Sequence, residues 1–118
     1  MTQTFENKIP NPYTPVVFDV NAQEVLNKKS DLILIDVREI SEYNGELGHV
    51  AGTELIPLAT LPQNLKNIPT DKTIVFICRS GGRSTQACLY AIEHGIKNVY
   101  NMHGGMLMWN QLMLPVER

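Results

Sequence analysis

The sequence predicts an α/β domain in which a mainly parallel sheet carries helices on both faces. Short apolar runs typical of strands alternate with helical segments along the 118 residues, which is the pattern of consecutive βαβ units. The two strongest runs, residues 32–35 and Thr73–Ile77, are largely apolar without alternation, as expected for strands that are covered on both faces. A chain of this length has room for one core.

The N-terminal third of the chain predicts an arm, a strand and a helix. Residues 1–15 are polar and contain three prolines, so we expect an extended, partly ordered arm ahead of a single domain over residues 16–118. Residues 16–18 are a short β-forming run. Asn21 then begins a helix, and Glu24 three residues later completes a variant of the capping box.

The middle of the chain predicts short elements around a glycine-rich loop. A helical turn is expected near residues 41–43. Residues 44–52 contain three glycines and are predicted to be loop. Residues 55–56 form a very short strand that Pro57 stops, and a helix is expected over residues 60–65.

The last third predicts two further strands, each followed by a helix. Thr73–Ile77 leads into a polar loop and then into a helix over residues 85–94, which Gly95 ends. Residues 98–102 are the fifth strand, and residues 106–112 are a final short helix. The sequence therefore predicts five short strands.

Composition and charge argue against several classes of function. The net charge of -2 and the isoelectric point near 5.9 give no reason to expect nucleic-acid binding. No apolar run approaches the roughly 20 residues of a membrane span, and the start of the chain lacks the pattern of a signal peptide. Two cysteines are too few for a disulfide framework, so we expect a cytoplasmic setting. The histidines and cysteines show no metal-ligand spacing, and we expect no metal or other cofactor.

One loop has the pattern of a reactive site. It follows the strand Thr73–Ile77 directly, and ligands of open α/β sheets bind at the carboxyl ends of strands. Its residues in order are Cys78, Arg79, Ser80, Gly81, Gly82, Arg83 and Ser84. The two glycines allow the backbone to curl with its N–H groups inward, and a helix N-terminus follows, so the loop can cradle an anion. The cradle and the two arginines favour thiolate over thiol, which indicates a nucleophilic cysteine facing an anionic substrate.

Four segments in order resemble the rhodanese (thiosulfate sulfurtransferase) family in its single-domain form. Residues 36–39 with Glu42 and Tyr43 resemble the family's Asp-Val-Arg-Glu segment, and residues 48–52 with Ile56 and Pro57 resemble its Gly-His-Ile-x-Gly-Ala…Ile-Pro segment. Residues 78–84 resemble its active-site loop, and residues 98–100 with Gly104, Gly105 and Trp109 resemble its C-terminal signature. The match spans residues 16–116. Two positions depart from the family pattern: Thr53 replaces a usual alanine, and His103 replaces a common glutamate.

The resemblance implies a three-layer α/β/α rhodanese-like fold with a five-stranded, mainly parallel sheet, and a ping-pong reaction. Cys78 would take a sulfane sulfur, hold it as a persulfide and pass it on, which is nucleophilic catalysis. The donor, thiosulfate or a similar anion, would be bound by Arg79, Ser80, Gly81, Gly82, Arg83 and Ser84. The acceptor would be cyanide, a thiol such as glutathione or thioredoxin, or a sulfur-carrier protein. Neither nucleic acid nor a membrane is expected as a partner.

Four other residues have both a structural and a functional interpretation. We expect Asp36 and Arg38 to form a structural ion pair that fixes loops, with a catalytic role as the alternative. We expect His49 to be a hydrogen-bonding structural residue, with a general-base role as the alternative. Cys88 lies in the middle of a predicted helix and is expected to be a packed thiol. Its alternative role is that of a resolving cysteine, which would attack an oxidised or persulfidated Cys78.

Two other functions remain open on the same fold. A dual-specificity-type phosphatase or an arsenate reductase would use a similar loop, but those enzymes space cysteine and arginine by five residues, whereas four residues separate Cys78 from Arg83. The tighter ring fits a single sulfur better than an enclosed tetrahedral oxyanion. The other alternative is a non-catalytic binding module, although such modules usually lack the cysteine. Within the sulfurtransferases, the 3-mercaptopyruvate enzymes tend to have small, uncharged loops, so the basic loop favours thiosulfate or another anionic donor.

Overall fold

A six-stranded sheet forms the centre of the computed structural model, which describes Phe5 and residues 7–118. The strands are β1 (Ile9–Pro10), β2 (Phe18–Val20), β3 (Leu32–Asp36), β4 (Glu54–Leu55), β5 (Thr73–Ile77) and β6 (Val99–Met102). Their order across the sheet is β1-β2-β6-β5-β3-β4. Only the β1–β2 pair is antiparallel, and every other neighbouring pair is parallel.

Five α-helices cover the two faces of this sheet. They are α1 (Ala22–Lys28), α2 (Ile40–Tyr43), α3 (Leu61–Asn64), α4 (Gly82–Glu93) and α5 (Gly105–Gln111). Short 3₁₀ turns at Lys29–Asp31, Leu58–Thr60 and Leu65–Asn67 flank α1 and α3. None of the helices described in the structure is long and apolar enough to cross a membrane.

The core lies in two layers, one on each side of the sheet. In β5, Ile74 and Phe76 pack with α3 and α4, whereas Val75 and Ile77 pack with α1 and α5. This alternation follows from the two-residue period of a strand, which points successive side chains to opposite faces. All five residues of β5 are buried, so the apolar run in the sequence marks the central strand. The predicted three-layer α/β/α class is confirmed.

The predicted strand count of five was wrong, because the segment expected to be an arm contributes β1. Asn11 holds this segment against the domain: its backbone N–H donates to the carbonyl of Val17 (2.8 Å). Its side-chain amide donates to the Asp19 carboxylate and to the Thr85 hydroxyl, both at 3.0 Å. A two-residue strand with a proline carries no periodic signal, so β1 is defined by its pairing with β2 and by the contacts of the neighbouring Asn11.

Several element boundaries also differ from the predicted ones. The first strand of the predicted domain lies at Phe18–Val20, two residues later than expected, because residues 14–17 form a turn. Helix α4 begins at Gly82, three residues earlier than expected. The early start is possible because Gly81 has a φ of 114°, which turns the chain directly from the loop into the helix.

Candidate active site

Cys78 is the first residue after β5, and its side chain is buried. The backbone N–H of Gly81 donates to its sulfur at 3.0 Å, and the hydroxyl of Ser84 lies 3.2 Å from the same sulfur. Helix α4 begins at Gly82, directly after Gly81, so its N-terminal amides and dipole add positive potential near the sulfur. An anionic sulfur would therefore be stabilised here.

The N-terminus of α5 fixes the opposite side of the loop. The N–H groups of Met106 and Leu107 donate to the carbonyls of Cys78 (2.9 Å) and Arg79 (3.0 Å). In a trans peptide the N–H points away from the carbonyl of the same unit. The amides of Arg79 and Ser80 therefore face away from α5.

Gly105 is required for this contact between α5 and the loop. Its φ is 57°, and a Cβ at this position would lie 2.5 Å from the carbonyl oxygens of Cys78 and Arg79. A side chain would separate the helix from the loop that it orients.

The two arginines of the loop have different surroundings. Arg83 donates two hydrogen bonds to the carboxylate of Glu42, at 2.7 and 2.8 Å. The Arg83 guanidinium lowers the pKa of Glu42 from 4.5 to about 2, and the same contact raises the pKa of Arg83. Arg79 is exposed, and none of the ion pairs among the described residues includes it. Arg79 is thus the loop cation that is available to solvent.

Asp36 and Arg38 form a buried ion pair behind α2. The guanidinium Nη2 lies 2.8 Å from the carboxylate, and both side chains are at most 1% exposed. Arg38 also donates to the carbonyls of Gly48 (2.8 Å) and Glu42 (3.3 Å). The pair therefore connects the end of β3 to the backbone of Glu42 in α2 and to the backbone of Gly48 in the loop that follows.

His49 also supports α2, through contacts with Tyr43 at the end of that helix. Its Nδ1 lies 2.8 Å from the carbonyl of Tyr43, and its ring stacks on the Tyr43 ring at a centroid distance of 3.6 Å. Its Nε2 lies 3.8 Å from the carboxylate of Glu117. The hydrogen bonds of Asp36, Arg38 and His49 thus converge on α2 and its flanking backbone, and α2 in turn presents Glu42 to Arg83.

Cys88 is buried in the middle of α4. Burial raises the pKa of its thiol, and the charges of Asp19 and Cys78 add to the effect. A thiol held in its neutral form is a poor nucleophile, which favours the packed role over the resolving one. Within Phe5 and residues 7–118, no group of three or more histidine, cysteine or acidic side chains could hold a metal ion.

A cavity of about 650 Å³ lies beside the loop. The loop forms one wall with Ser80, Gly81 and Gly82, and residues 11–14 form another. Its acidic and histidine lining residues are Asp19 and His103, and neither arginine of the loop lines it. This side of the loop is therefore different in charge from the side that presents the arginines.

A family model for the rhodanese-like domain matches residues 21–112. The chain belongs to this family. The recognition from four sequence segments is thereby confirmed.

Relatives and solved structures agree with this assignment. A sulfurtransferase of Allochromatium vinosum is 35% identical over 86 residues, which cover 73% of this chain and 78% of the relative. The thiosulfate sulfurtransferase GlpE of Pseudoalteromonas translucida is 31% identical over 86 residues, 73% of this chain and 79% of the relative. The crystal structure of a rhodanese-related protein from Thermoplasma volcanium matches with a TM-score of 0.78 and 28% identity, over 84% of this chain and 96% of that chain.

The two departures of this rhodanese-like domain from the family pattern have structural partners. The hydroxyl of Thr53 lies 3.2 Å from the hydroxyl of Tyr43 and donates to the carbonyl of Val50, so it adds a contact to the braced segment around α2. His103 Nδ1 lies 3.4 Å from the carboxylate of Asp19. Neither departure alters a residue of the loop itself.

The sequence interpretation missed residues that support the loop from a distance. Glu42 was part of the quoted segment but had no assigned role. Asp19 and Asn101 are buried polar residues inside β2 and β6, joined by a hydrogen bond of 2.9 Å. The available signal was a polar residue within an apolar strand, because such a residue needs a buried partner.

Proposed function

We propose that this rhodanese-like domain is a thiosulfate sulfurtransferase that carries sulfur as a persulfide on Cys78. The Cys78 thiolate attacks the sulfane sulfur of thiosulfate, the S–S bond of thiosulfate breaks, and sulfite leaves with the electron pair. An acceptor thiolate or cyanide then attacks the outer sulfur of the persulfide and releases the Cys78 thiolate. The observation that carries the proposal is the position of the Cys78 sulfur, 3.0 Å from the Gly81 N–H at the start of α4.

The roles of the other loop residues follow from their surroundings. Arg79 is exposed and unpaired among the described residues, so it binds the sulfonate of the donor and stabilises the departing sulfite. The backbone N–H groups of Ser80, Gly81 and Gly82 line the anion cradle. Arg83 contributes less to donor binding than Arg79, because Glu42 already accepts two of its hydrogen bonds.

Asp36, Arg38 and His49 have supporting roles, and Ser84 contacts the reacting sulfur. The acceptor is a thiol such as glutathione or thioredoxin, or a sulfur-carrier protein, in the cytoplasm. The name of the GlpE relative supports the choice of thiosulfate as donor.

The first experiment measures the intact mass of the reduced protein after brief exposure to thiosulfate. We expect a gain of one sulfur, about 32 Da, that is lost on addition of cyanide or a thiol and is absent in Cys78→Ser. Cys88→Ala should gain the sulfur as the unaltered chain does. No mass gain together with turnover of an aryl phosphate would replace the proposal by a phosphatase.

A second experiment tests the role of Arg79 in donor binding. Arg79→Ala should raise the KM for thiosulfate by roughly tenfold or more, since a charge-assisted hydrogen bond contributes about 1.5–3 kcal/mol. Lys97→Ala is the matched control: it removes the same charge just before β6, at the amino-terminal edge of the parallel strands and away from the loop. Equal KM values for Arg79→Ala and Lys97→Ala would contradict the assignment of Arg79.

A further inference from the structure

A chain of buried hydrogen bonds leads from the candidate nucleophile into the sheet. Cys78 contacts the Ser84 hydroxyl at 3.2 Å, and Ser84 donates to the side-chain carbonyl of Asn101. Asn101 donates its side-chain amide to the Asp19 carboxylate at 2.9 Å. All four residues are buried, with at most 3% of their surface exposed. A continuous buried network of this kind has little freedom to rearrange, because each unpaired group would be costly.

The direction of these hydrogen bonds is fixed from the Asp19 end. An ionised carboxylate can only accept, so Asn101 must turn its NH₂ group toward Asp19 and its carbonyl toward Ser84. The amide of Asn11 donates to the same carboxylate oxygen at 3.0 Å and holds it in place. Ser84 has a single hydroxyl hydrogen, and that hydrogen is given to Asn101.

It follows that the Ser84 oxygen faces Cys78 as an acceptor. An acceptor stabilises the S–H group of a thiol and offers nothing to a thiolate. If Cys78 ionises, the Ser84 hydroxyl can donate to the sulfur only by turning away from Asn101. The buried carbonyl of Asn101 then loses its donor, which is unfavourable.

Other groups around Cys78 also affect the balance between its thiol and its thiolate form. The Gly81 N–H, the N-terminus of α4 and Arg83 favour an anionic sulfur. The remaining titratable groups that face the site are Asp19 on β2, Asp36 on β3, Glu42 on α2 through Arg83, Cys88 on α4 and His103 after β6. The network from Ser84 to Asp19 therefore opposes a loop that is otherwise built for an anion.

We propose that Asn101, oriented by Asp19, is a positioning residue that holds the Ser84 hydroxyl away from the Cys78 sulfur and so lowers the thiolate fraction of the resting protein. The inference rests on the proposed role of Cys78 as the nucleophile. Asn101 does not touch the sulfur, and it acts through the single hydrogen of Ser84.

The test is a double-mutant cycle read by alkylation of Cys78. The rate of iodoacetamide addition is followed by mass along a pH series for the unaltered chain, Asn101→Leu, Ser84→Ala and the double variant. With Ser84 present, Asn101→Leu frees the hydroxyl to donate to the sulfur. We expect a lower pH midpoint and, on its acid side, about twofold to tenfold faster alkylation, the range of one net hydrogen bond. In the Ser84→Ala background, Asn101→Leu should leave the rate unchanged.

A purely structural role of Asn101 gives a different pattern. Loss of packing would change the rate equally in both backgrounds, and that result would overturn the proposal, as would an unchanged or slower rate of Asn101→Leu with Ser84 present. Asn98→Leu is the matched control, since Asn98 precedes the same strand and its side chain donates to the carbonyl of Lys72, outside the network. It should alkylate at the rate of the unaltered chain.

A second variant covers the case in which Asn101→Leu does not fold. Asp19→Asn keeps the shape of the side chain and lets the Asn101 amide turn over toward Ser84. Removal of the charge speeds alkylation in both Ser84 backgrounds, and the release of Ser84 adds a further increase only where Ser84 is present; equal increases in both would overturn the proposal. Alkylation reports the thiolate whether or not sulfur is transferred, so a failure of this inference is distinguishable from a failure of the proposed function.

Discussion

Replacing Glu42 by glutamine removes the charge that faces Arg83 while it keeps the length of the side chain. One acceptor also remains for the backbone N–H of Glu39, which bonds to Glu42 at 3.1 Å. The change therefore isolates the ion pair that connects α2 to the candidate active-site loop. We expect Glu42→Gln to lower the free energy of unfolding and to loosen the loop.

The size of the effect follows from the pKa of Glu42. Lowering this pKa from 4.5 to about 2 corresponds to at most about 3.4 kcal/mol, at 1.36 kcal/mol for each factor of ten. The side chains of Arg83 and Glu42 are 35% and 29% exposed, so solvent screens much of this interaction. We therefore expect a loss of about 1–2 kcal/mol at neutral pH.

The same pair predicts a defined pH dependence. The folded state holds the Glu42 pKa below its ordinary value, so the pair contributes fully above about pH 4.5 and is lost as the pH falls toward about 2. The difference in stability between the unaltered chain and Glu42→Gln should shrink across this window.

Urea unfolding followed by the fluorescence of Trp109, the single tryptophan, measures both effects. Trp109 is fully buried, so its emission reports loss of the core. Glu54→Gln is the control, because Glu54 is exposed on β4 and no ion pair in the described part of the chain includes it. Equal stability of the two variants at neutral pH would refute the reasoning, as would a difference that stays constant through the acid window.

Three further substitutions test the supports of the site. Gly105→Ala should cost at least about 2 kcal/mol in urea unfolding, because of its φ and its contact with the carbonyl of Cys78, and persulfide formation should slow with it. Arg38→Met should cost about 3–5 kcal/mol, since it leaves the carboxylate of Asp36 buried without its partner; unfolding by urea measures this loss. Cys88→Ala should transfer sulfur at an unchanged rate, with a stability loss of about 1 kcal/mol from the small cavity.

Each of these three has a result that would count against it. A Gly105→Ala variant with unaltered stability would mean that α5 can move away from the loop without cost. An Arg38→Met variant that is as stable as the unaltered chain would mean that apolar packing replaces the pair. A large fall in turnover of Cys88→Ala would favour a resolving cysteine.

Features encoded by short stretches of sequence were predictable. The largely apolar run Thr73–Ile77 marks the central strand, and the residue after it had to lie at the carboxyl edge of the sheet. The place of Cys78 followed from this. The anion-binding shape of the loop was also predictable, because glycines allow a tight backbone turn and a helix N-terminus presents free N–H groups.

Features that depend on distant pairings were not predictable. The charge of Arg83 is plain in the sequence, but its partner Glu42 lies 41 residues away, and no local pattern encodes that contact. The bond between Asp19 and Asn101 joins residues 82 apart. β1 was missed for the same reason, because no local pattern encodes its pairing with β2 or the side-chain hydrogen bonds of Asn11 to Asp19 and Thr85.

The two outer strands of the sheet limit the pairing of another polypeptide with the sheet edges. β1 and β4 have two residues each, and Pro10 in β1 has no N–H to donate. A long exposed edge lets another chain extend the sheet, and short or proline-containing edges prevent such aggregation. Sheet extension therefore requires an outer strand to detach first. The tether from Asn11 to Asp19 and Thr85 thus also protects the molecule from growing into a larger assembly.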